Sequence, residues 1–377
     1  MTFEGPASTL TNFPLYVRSS GGSASSVAAH ATTGAGVVFD VAGSPLTQCR
    51  IAYDAGTGVG QWALGPVTLT TAGLTVRMSY GALGSESDES DCSTTTGPYQ
   101  DYALAWFAGS TTDWSGNSHT ATLSGSPAAG TGPTGPSLVL DGVNDVAVFA
   151  ATGVGGELDS AQVTLTALVK GDLPTSNTAA ATFLLDRASA SPRCWWTATS
   201  TTNGTCDWNV SIGERVRYGP VDADTWALVT VGADDLVRYG FLSGALVESP
   251  TRSANPASPP TSNLRLGANY LSTGNFFAGQ VEMLLWRLDT VALSTDWQAY
   301  ETAMYRDGTA ATFGAEGPFT QVIFFHFSYV SEPPPSGGES AADPTPLSIC
   351  DGLLGAHPVQ VGDLVDCYGG DRELLAR

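Results

Sequence analysis

Three tryptophans stand close together in two short runs, Cys194-Trp195-Trp196 and Cys206-Asp207-Trp208, joined by Thr197 to Thr205. An indole offers a flat apolar face that stacks on a sugar ring or packs on a partner protein. Neighbouring residues of an extended strand face opposite ways, so at least one of Trp195 and Trp196 should point away from a core. The alternative is burial of both, with a loop covering the outer ring. Asn203-Gly204 suits a tight hairpin turn. A two-residue turn there, however, would pair position 194 with 213 and not with 206.

Asp113, Asn117, Asp141, Asn144 and Asp145 lie in glycine-containing turns. Their hard oxygens suit Ca²⁺, which makes Asp113, Asn117, Asp141 and Asp145 candidate calcium ligands and calcium the one candidate cofactor. Turn hydrogen bonds to their own backbone account for the same residues without a metal. The D-x-[DN]-x-[DN]-G loop is absent, which excludes an EF-hand. Six cysteines allow fifteen pairings. Sequence proximity suggests Cys49 with Cys92, Cys194 with Cys206, and Cys350 with Cys367, and buried free thiols are the alternative. His30, His119, His326 and His357 are scattered, with no H-E-x-x-H or zinc-ligand spacing.

The elements that position these residues follow from composition. Gly (44) and Pro (22) are abundant and only 14% of the 377 residues are charged, so periodic Ala/Leu/Glu/Lys arrays of long helices are missing. Short strands joined by turns fit better, and the chain reads as all-β. A net charge of −21 repels phosphate backbones and anionic membranes, so nucleic acid and membrane insertion are not expected. No run of eighteen apolar residues predicts a membrane span, and the opening Met1-Thr2-Phe3-Glu4-Gly5-Pro6 does not read as a signal peptide.

Three stretches emerge. Residues 1–98 carry strand-like runs at Phe13 to Arg18, Gly36 to Val41, Gln48 to Tyr53, Gln61 to Leu64 and Leu74 to Tyr80, and end in an acidic, serine-rich loop, Ser85 to Thr96. Leu74, Val76, Met78 and Tyr80 share one face at period two. Residues 99–317 continue with Gln162 to Lys170, Trp226 to Val231, Leu236 to Leu242 before a Ser243-Gly244 turn, and a run in which Val281, Met283 and Leu285 alternate. One helix is predicted, Ser294 to Tyr305, with Ser294 as cap, Asp296 in its first turn, and Trp297, Tyr300 and Met304 on one face. Residues 318–377 hold an apolar strand, Phe319 to Val330, a Pro333-Pro334-Pro335-Ser336-Gly337-Gly338 linker, and a tail too short for a core of its own, read as an extended docking arm.

The second stretch resembles a laminin-G-like member of the concanavalin A-like lectin/glucanase superfamily. Asp113-Trp114-Ser115-Gly116-Asn117 is similar to the family's Asp-x-Ser-Gly-Asn turn, and Ser137 to Asp145 to its "Leu-x-Phe-Asp-Gly-x-Asn-Asp" strand and turn. Phe277-Ala278-Gly279-Gln280-Val281 through Trp286, then Ala292-Leu293-Ser294, resembles its closing strand and small helix. The resemblance implies a two-sheet antiparallel jelly roll, which the alternating strands suggest independently. Asn12 to Val17 and Met78-Ser79-Tyr80-Gly81 resemble an uncharacterised β domain that often precedes laminin-G-like modules in bacterial surface and phage proteins. The expected architecture is thus tandem antiparallel β-sandwiches followed by the arm.

Because the superfamily includes glucanases, a carboxylate pair is required for catalysis. The nearest match to its Glu-x-Asp-x-x-Glu strand is Glu157-Leu158-Asp159-Ser160-Ala161-Gln162, where Gln162 replaces the acid. No G-x-S-x-G nucleophile elbow is present. The expected function is a non-enzymatic structural and adhesive protein of a tailed-phage virion, released by lysis. Its expected partners are other virion proteins, copies of itself and a host-surface glycan. A bacterial extracellular carbohydrate-binding protein is the alternative, and a glycoside hydrolase a further one.

Overall fold

The computed structural model describes residues 1–19, 27, 31, 36–80, 90–150, 163–171, 182–186, 193–196, 204–209, 214–219, 222, 224–233, 237–251, 263–269, 276–288, 293–312, 357–361, 364–368 and 374–376. The chain divides into two compact units, Met1–Gly314 and Ala315–Arg377. The expected strand Phe319 to Val330, the proline-rich linker, Glu157 to Gln162 and Cys350 lie outside the described residues. Among the described residues no helix is long and apolar enough to cross a membrane.

The larger unit contains the expected two-sheet antiparallel sandwich. One sheet orders Ala121–Ser124, Val146–Phe149, Leu264–Leu266, Thr182–Asp186, Arg193–Trp196, Gly204–Asn209 and Glu214–Arg217. The other orders Ala128–Thr131, Pro136–Asp141, Ala278–Leu288, Val163–Gly171, Ala227–Ala233, Arg238–Leu242 and Ala245–Glu248, and Tyr102–Phe107 pairs on Ala278–Leu288. Between the sheets lie Trp106, Trp286, Phe149, Leu138, Val169, Val229 and Leu264, all buried. The Ser243-Gly244 turn has positive φ at both residues, 49° and 81°, and joins Leu242 to Ala245 across a hairpin.

Residues 1–98 contribute strands to three small antiparallel sheets, one of which is completed by Ala311–Thr312 pairing on Thr2–Phe3. The largest orders Leu10–Arg18, Val59–Leu69 and Gln48–Asp54. Leu74–Thr75 and Arg77–Tyr80 belong to different sheets. Even so Leu74, Val76, Met78 and Tyr80 all pack on one core, as their period-two spacing predicts. That core is not confined to the N-terminal stretch. Phe13, Phe39 and Trp62 join Tyr102, Phe107, Leu168, Leu228, Met283, Leu285, Trp297 and Tyr305 in a single apolar cluster. The outer face of the larger sheet is therefore covered, and position 98/99 is no break in packing. Strand Val163–Gly171 shows the consequence: Leu165, Ala167 and Val169 enter the inter-sheet core, while Leu168 faces the N-terminal stretch.

The run Val281, Met283, Leu285 departs from its expected alternation. Val281 lies in the inter-sheet core with Leu284 and Trp286, whereas Met283 and Leu285 pack on the N-terminal side. The cause is a bulge: Leu168 opposes Met283 but its neighbour Val169 opposes Val281, so Glu282 has no opposite number. The helix forms as Thr295–Glu301 and continues as a π-helical turn, Thr302–Asp307. Ser294 caps it, its hydroxyl accepting from the Trp297 N–H at 3.1 Å, and Trp297, Tyr300 and Met304 are buried. In the smaller unit His357–Val361, Leu364–Tyr368 and Leu374–Ala376 form a three-stranded antiparallel sheet, local order that the tail's composition did not suggest.

Candidate functional site

A group of hydrogen-bonded polar residues lies where the N-terminal stretch meets the sandwich. The bulge aims Glu282 at the glycine-rich connection Gly130-Thr131-Gly132-Pro133-Thr134-Gly135-Pro136. The Thr134 N–H donates to Glu282 Oε1 at 3.0 Å, and the Thr134 hydroxyl donates to the same oxygen. The Thr134 carbonyl in turn accepts from Gln61 Nε2 at 3.3 Å and from the Tyr16 hydroxyl at 3.5 Å. One residue thus joins a sandwich carboxyl to two N-terminal side chains. A side chain here would displace the bonded groups: a Cβ at Gly132 would lie 2.0 Å from Glu282 Oε2, and one at Gly135 2.1 Å from Gln61 Nε2.

Burial pushes the Glu282 carboxyl up to about 7, although the Thr134 hydrogen bonds and the Arg18 charge favour its ionised form. Two cavities flank this junction, with volumes of about 220 and about 340 Å³. Arg18 lines both. The smaller also touches Tyr16, Thr134 and Met304, and the larger Tyr53, Asp54, Gln61 and Thr131. Glu282 itself is 3% exposed and lines neither, and its hydrogen bonds hold the loop.

The two aspartate turns form separate, internally bonded structures. Buried Asp113 accepts from the Ala105 N–H (3.0 Å), the Ser115 N–H (3.0 Å) and hydroxyl (2.7 Å), and through its other oxygen from the His119 N–H (3.0 Å). Asn117 Nδ2 donates to the carbonyls of Tyr102 and Ala103 at 2.8 and 3.2 Å. This turn therefore pins the edge of strand Tyr102–Phe107. Asp141 accepts from the amides of Val143 and Asn144, which hold its carboxyl below the usual range. Asp145 Oδ2 accepts from the Asp141 N–H at 3.0 Å, and its Oδ1 is buried without a partner. Among the described residues no group of three or more His, Cys, Asp or Glu is arranged to hold a metal ion.

Cys49 is bonded to Cys92 and Cys194 to Cys206. Arg193–Trp196 pairs with Gly204–Asn209 so that position 194 opposes 206, 195 opposes 205 and 196 opposes 204. Of the two alternatives, a longer turn or a different pairing, the first holds: Gly204 is already in the strand opposite position 196, and Cys194 is bonded to Cys206. A Cβ at Gly204 would lie 2.4 Å from the ring of buried Tyr218, which explains glycine at a strand position. Cys194 and Cys206, opposite each other in this pair, are both buried in the inter-sheet core. Thr205 opposes exposed Arg217 on the next strand, and Trp208 falls at the register shift between Asp207 and Asn209.

No family model matches the sequence, and no curated protein matches it. Solved structures resemble about half of the chain. Domain 4 of an extracellular arabinanase from Geobacillus stearothermophilus, solved with arabinotriose, matches at 16% identity and a TM-score of 0.44, over 54% of this chain and 98% of that one. The binding domain of botulinum neurotoxin serotype D matches at 11% identity and 0.44, over 54% and 51%. A sialidase from Trypanosoma rangeli matches at 14% identity and 0.40, over 55% and 33%. The chain thus spans about half of the neurotoxin domain and a third of the sialidase.

Sequence reasoning found the aspartate turns and the pairs Cys49–Cys92 and Cys194–Cys206, but missed the junction at Thr134. The one available signal was the density of glycine in Gly130 to Pro136, which reads as an ordinary loop until Glu282 is seen against it.

Proposed function

We propose that the chain is a non-enzymatic adhesive module that binds a glycan through the outer face of its seven-stranded sheet, displayed in many copies on a phage virion. Strand alternation supports this reading: Cys194 is buried, and the next residue of an extended strand faces the other way. The N-terminal stretch packs on the outer face of the other sheet, so the proposal takes the tryptophan-bearing sheet as the ligand face. The Cys194–Cys206 bond staples the two strands on which Trp195, Trp196 and Trp208 stand. A flat indole on an antiparallel sheet suits the apolar face of a pyranose. The virion setting is supported by the N-terminal resemblance and by affinity arithmetic. One stacked sugar contributes about 1–2 kcal/mol, so single sites are weak and useful adhesion needs avidity.

The non-enzymatic half of the proposal is supported by Gln162 in the acid position and by Glu282, whose raised pKa would suit a general acid but whose carboxyl lines neither cavity. The test is a glycan array read with monomeric and multimerised protein, together with an assay for released reducing sugar. Array binding by the multimer without sugar release is the expected result. Sugar release would replace the reading with a glycosidase, and silence of the multimer would leave a purely structural role.

A further inference from the structure

Arg18 closes strand Leu10–Arg18, directly opposite Gln61, and forms the wall common to both cavities. Among the described residues its guanidinium has no hydrogen-bond or ion-pair partner, and its Nε is enclosed without an acceptor. The acid nearest in effect, Glu282, is engaged by Thr134 instead. A guanidinium is a planar fork of donors matched to a carboxylate, and here the fork is left open beside a cavity large enough for a sugar. The lining of the larger cavity also includes Asp54, which accepts from the Gly56 N–H at 2.8 Å and the Thr57 N–H at 3.4 Å. These bonds keep it ionised, as an acceptor for ligand hydroxyls. Tyr53 and Pro136 supply apolar wall, and Gln61 and Thr131 further polar groups.

A guanidinium and a carboxylate in the lining of one cavity select a ligand that carries both a carboxylate and hydroxyls. A bare anion would meet Arg18 but be repelled by Asp54, and a neutral sugar would leave Arg18 unanswered. We propose that the cavity lined by Arg18 and Asp54 binds a carboxylate-bearing saccharide, its carboxylate on Arg18 and its neighbouring hydroxyls on Asp54. This site is distinct from the tryptophan face and does not depend on it.

The experiment follows the Arg18 side-chain Nε–H signal of the full chain by NMR during titration with glucuronate, glucose or acetate. Glucuronate should shift that signal saturably, while glucose and acetate at equal concentration should not. Arg18→Gln should weaken glucuronate binding roughly tenfold or more, the loss of a paired charge. Asp54→Asn, in an exposed turn that does not carry the core, should weaken it several-fold, so the proposal stays testable if the Arg18 variant does not fold. Trp195→Ala should leave the titration unchanged, which separates this site from the array result. Equal shifts with glucose, acetate binding as tight as glucuronate, or an Asp54→Asn protein that binds like wild type would each overturn it.

Discussion

Phe13 and Trp297 pack ring against ring, their centroids 4.6 Å apart and their planes tilted by 60°. One lies on a strand of the N-terminal stretch, the other on the helix after the last sandwich strand, and Tyr300 meets the same phenylalanine edge-on at 5.4 Å. The contact closes a core to which both stretches contribute. Sequence motifs separate residues 1–98 from residues 99–317, and packing unites them.

Phe13→Ala and Trp297→Ala should therefore each destabilise the whole of Met1–Gly314, by about 3–5 kcal/mol. Calorimetry on the full chain should show one shifted transition for both stretches. A variant that melts the N-terminal stretch while the sandwich transition stays in place would contradict the shared core.

Glu282 predicts a pH dependence. Its folded pKa of about 7 stands above the ordinary 4.5, so its contribution is fully present below 4.5 and is lost as pH rises through 7. The shift corresponds to about 3 kcal/mol. Buried His119 works the other way: burial lowers its pKa from 6.5, against the pull of Asp113, so its contribution is lost as pH falls. Comparison with Glu282→Gln isolates the first effect. The variant's melting temperature should gain on wild type between pH 5 and 8 (about one Glu titration). A constant difference across that range would be the contrary result.

The Asp113 turn should be structural. Asp113→Ala leaves the amides of Ala105, Ser115 and His119 without their acceptor, and about 3 kcal/mol of stability should be lost. A chelator added to wild type should not reproduce that loss. If it does, the turn holds a cation.

The disulfides close loops of 43 and 12 residues. Chain entropy alone assigns them about 4 and about 3 kcal/mol. Urea unfolding of Cys49→Ser/Cys92→Ser and of Cys194→Ser/Cys206→Ser should rank in that order, and the reverse ranking would show that the hairpin staple does more than restrict the unfolded chain.

What the sequence made legible was local. Ser294, Asp296 and the Trp297/Tyr300/Met304 face specify a helix through neighbours within two turns, and Asp113 and Asp141 specify turns through their own amides. The misreadings involve distant partners. Strict alternation over Val281 to Leu285 fails because a bulge opposite Leu168 and Val169 displaces Glu282, and nothing within that strand announces it. Gly204 reads as a turn residue, yet it is glycine because Tyr218 needs its space. Thr134 bonds Glu282, 148 residues away, and Gln61, 73 residues away, so the junction exists only once the chain has folded.

The central claim is that the tryptophan face of the seven-stranded sheet is the adhesive surface. The measurement that tests it most directly is binding of multimerised wild type, Trp195→Ala, Trp196→Ala and Trp208→Ala to the same glycan surface, each variant first shown to melt like wild type. The proposal puts Trp195 on the opposite side of its strand from buried Cys194 and Trp196 on the same side, so Trp195→Ala should abolish multivalent binding while the fold is kept, and Trp196→Ala should act through stability. Undiminished binding by a folded Trp195→Ala multimer would contradict the account.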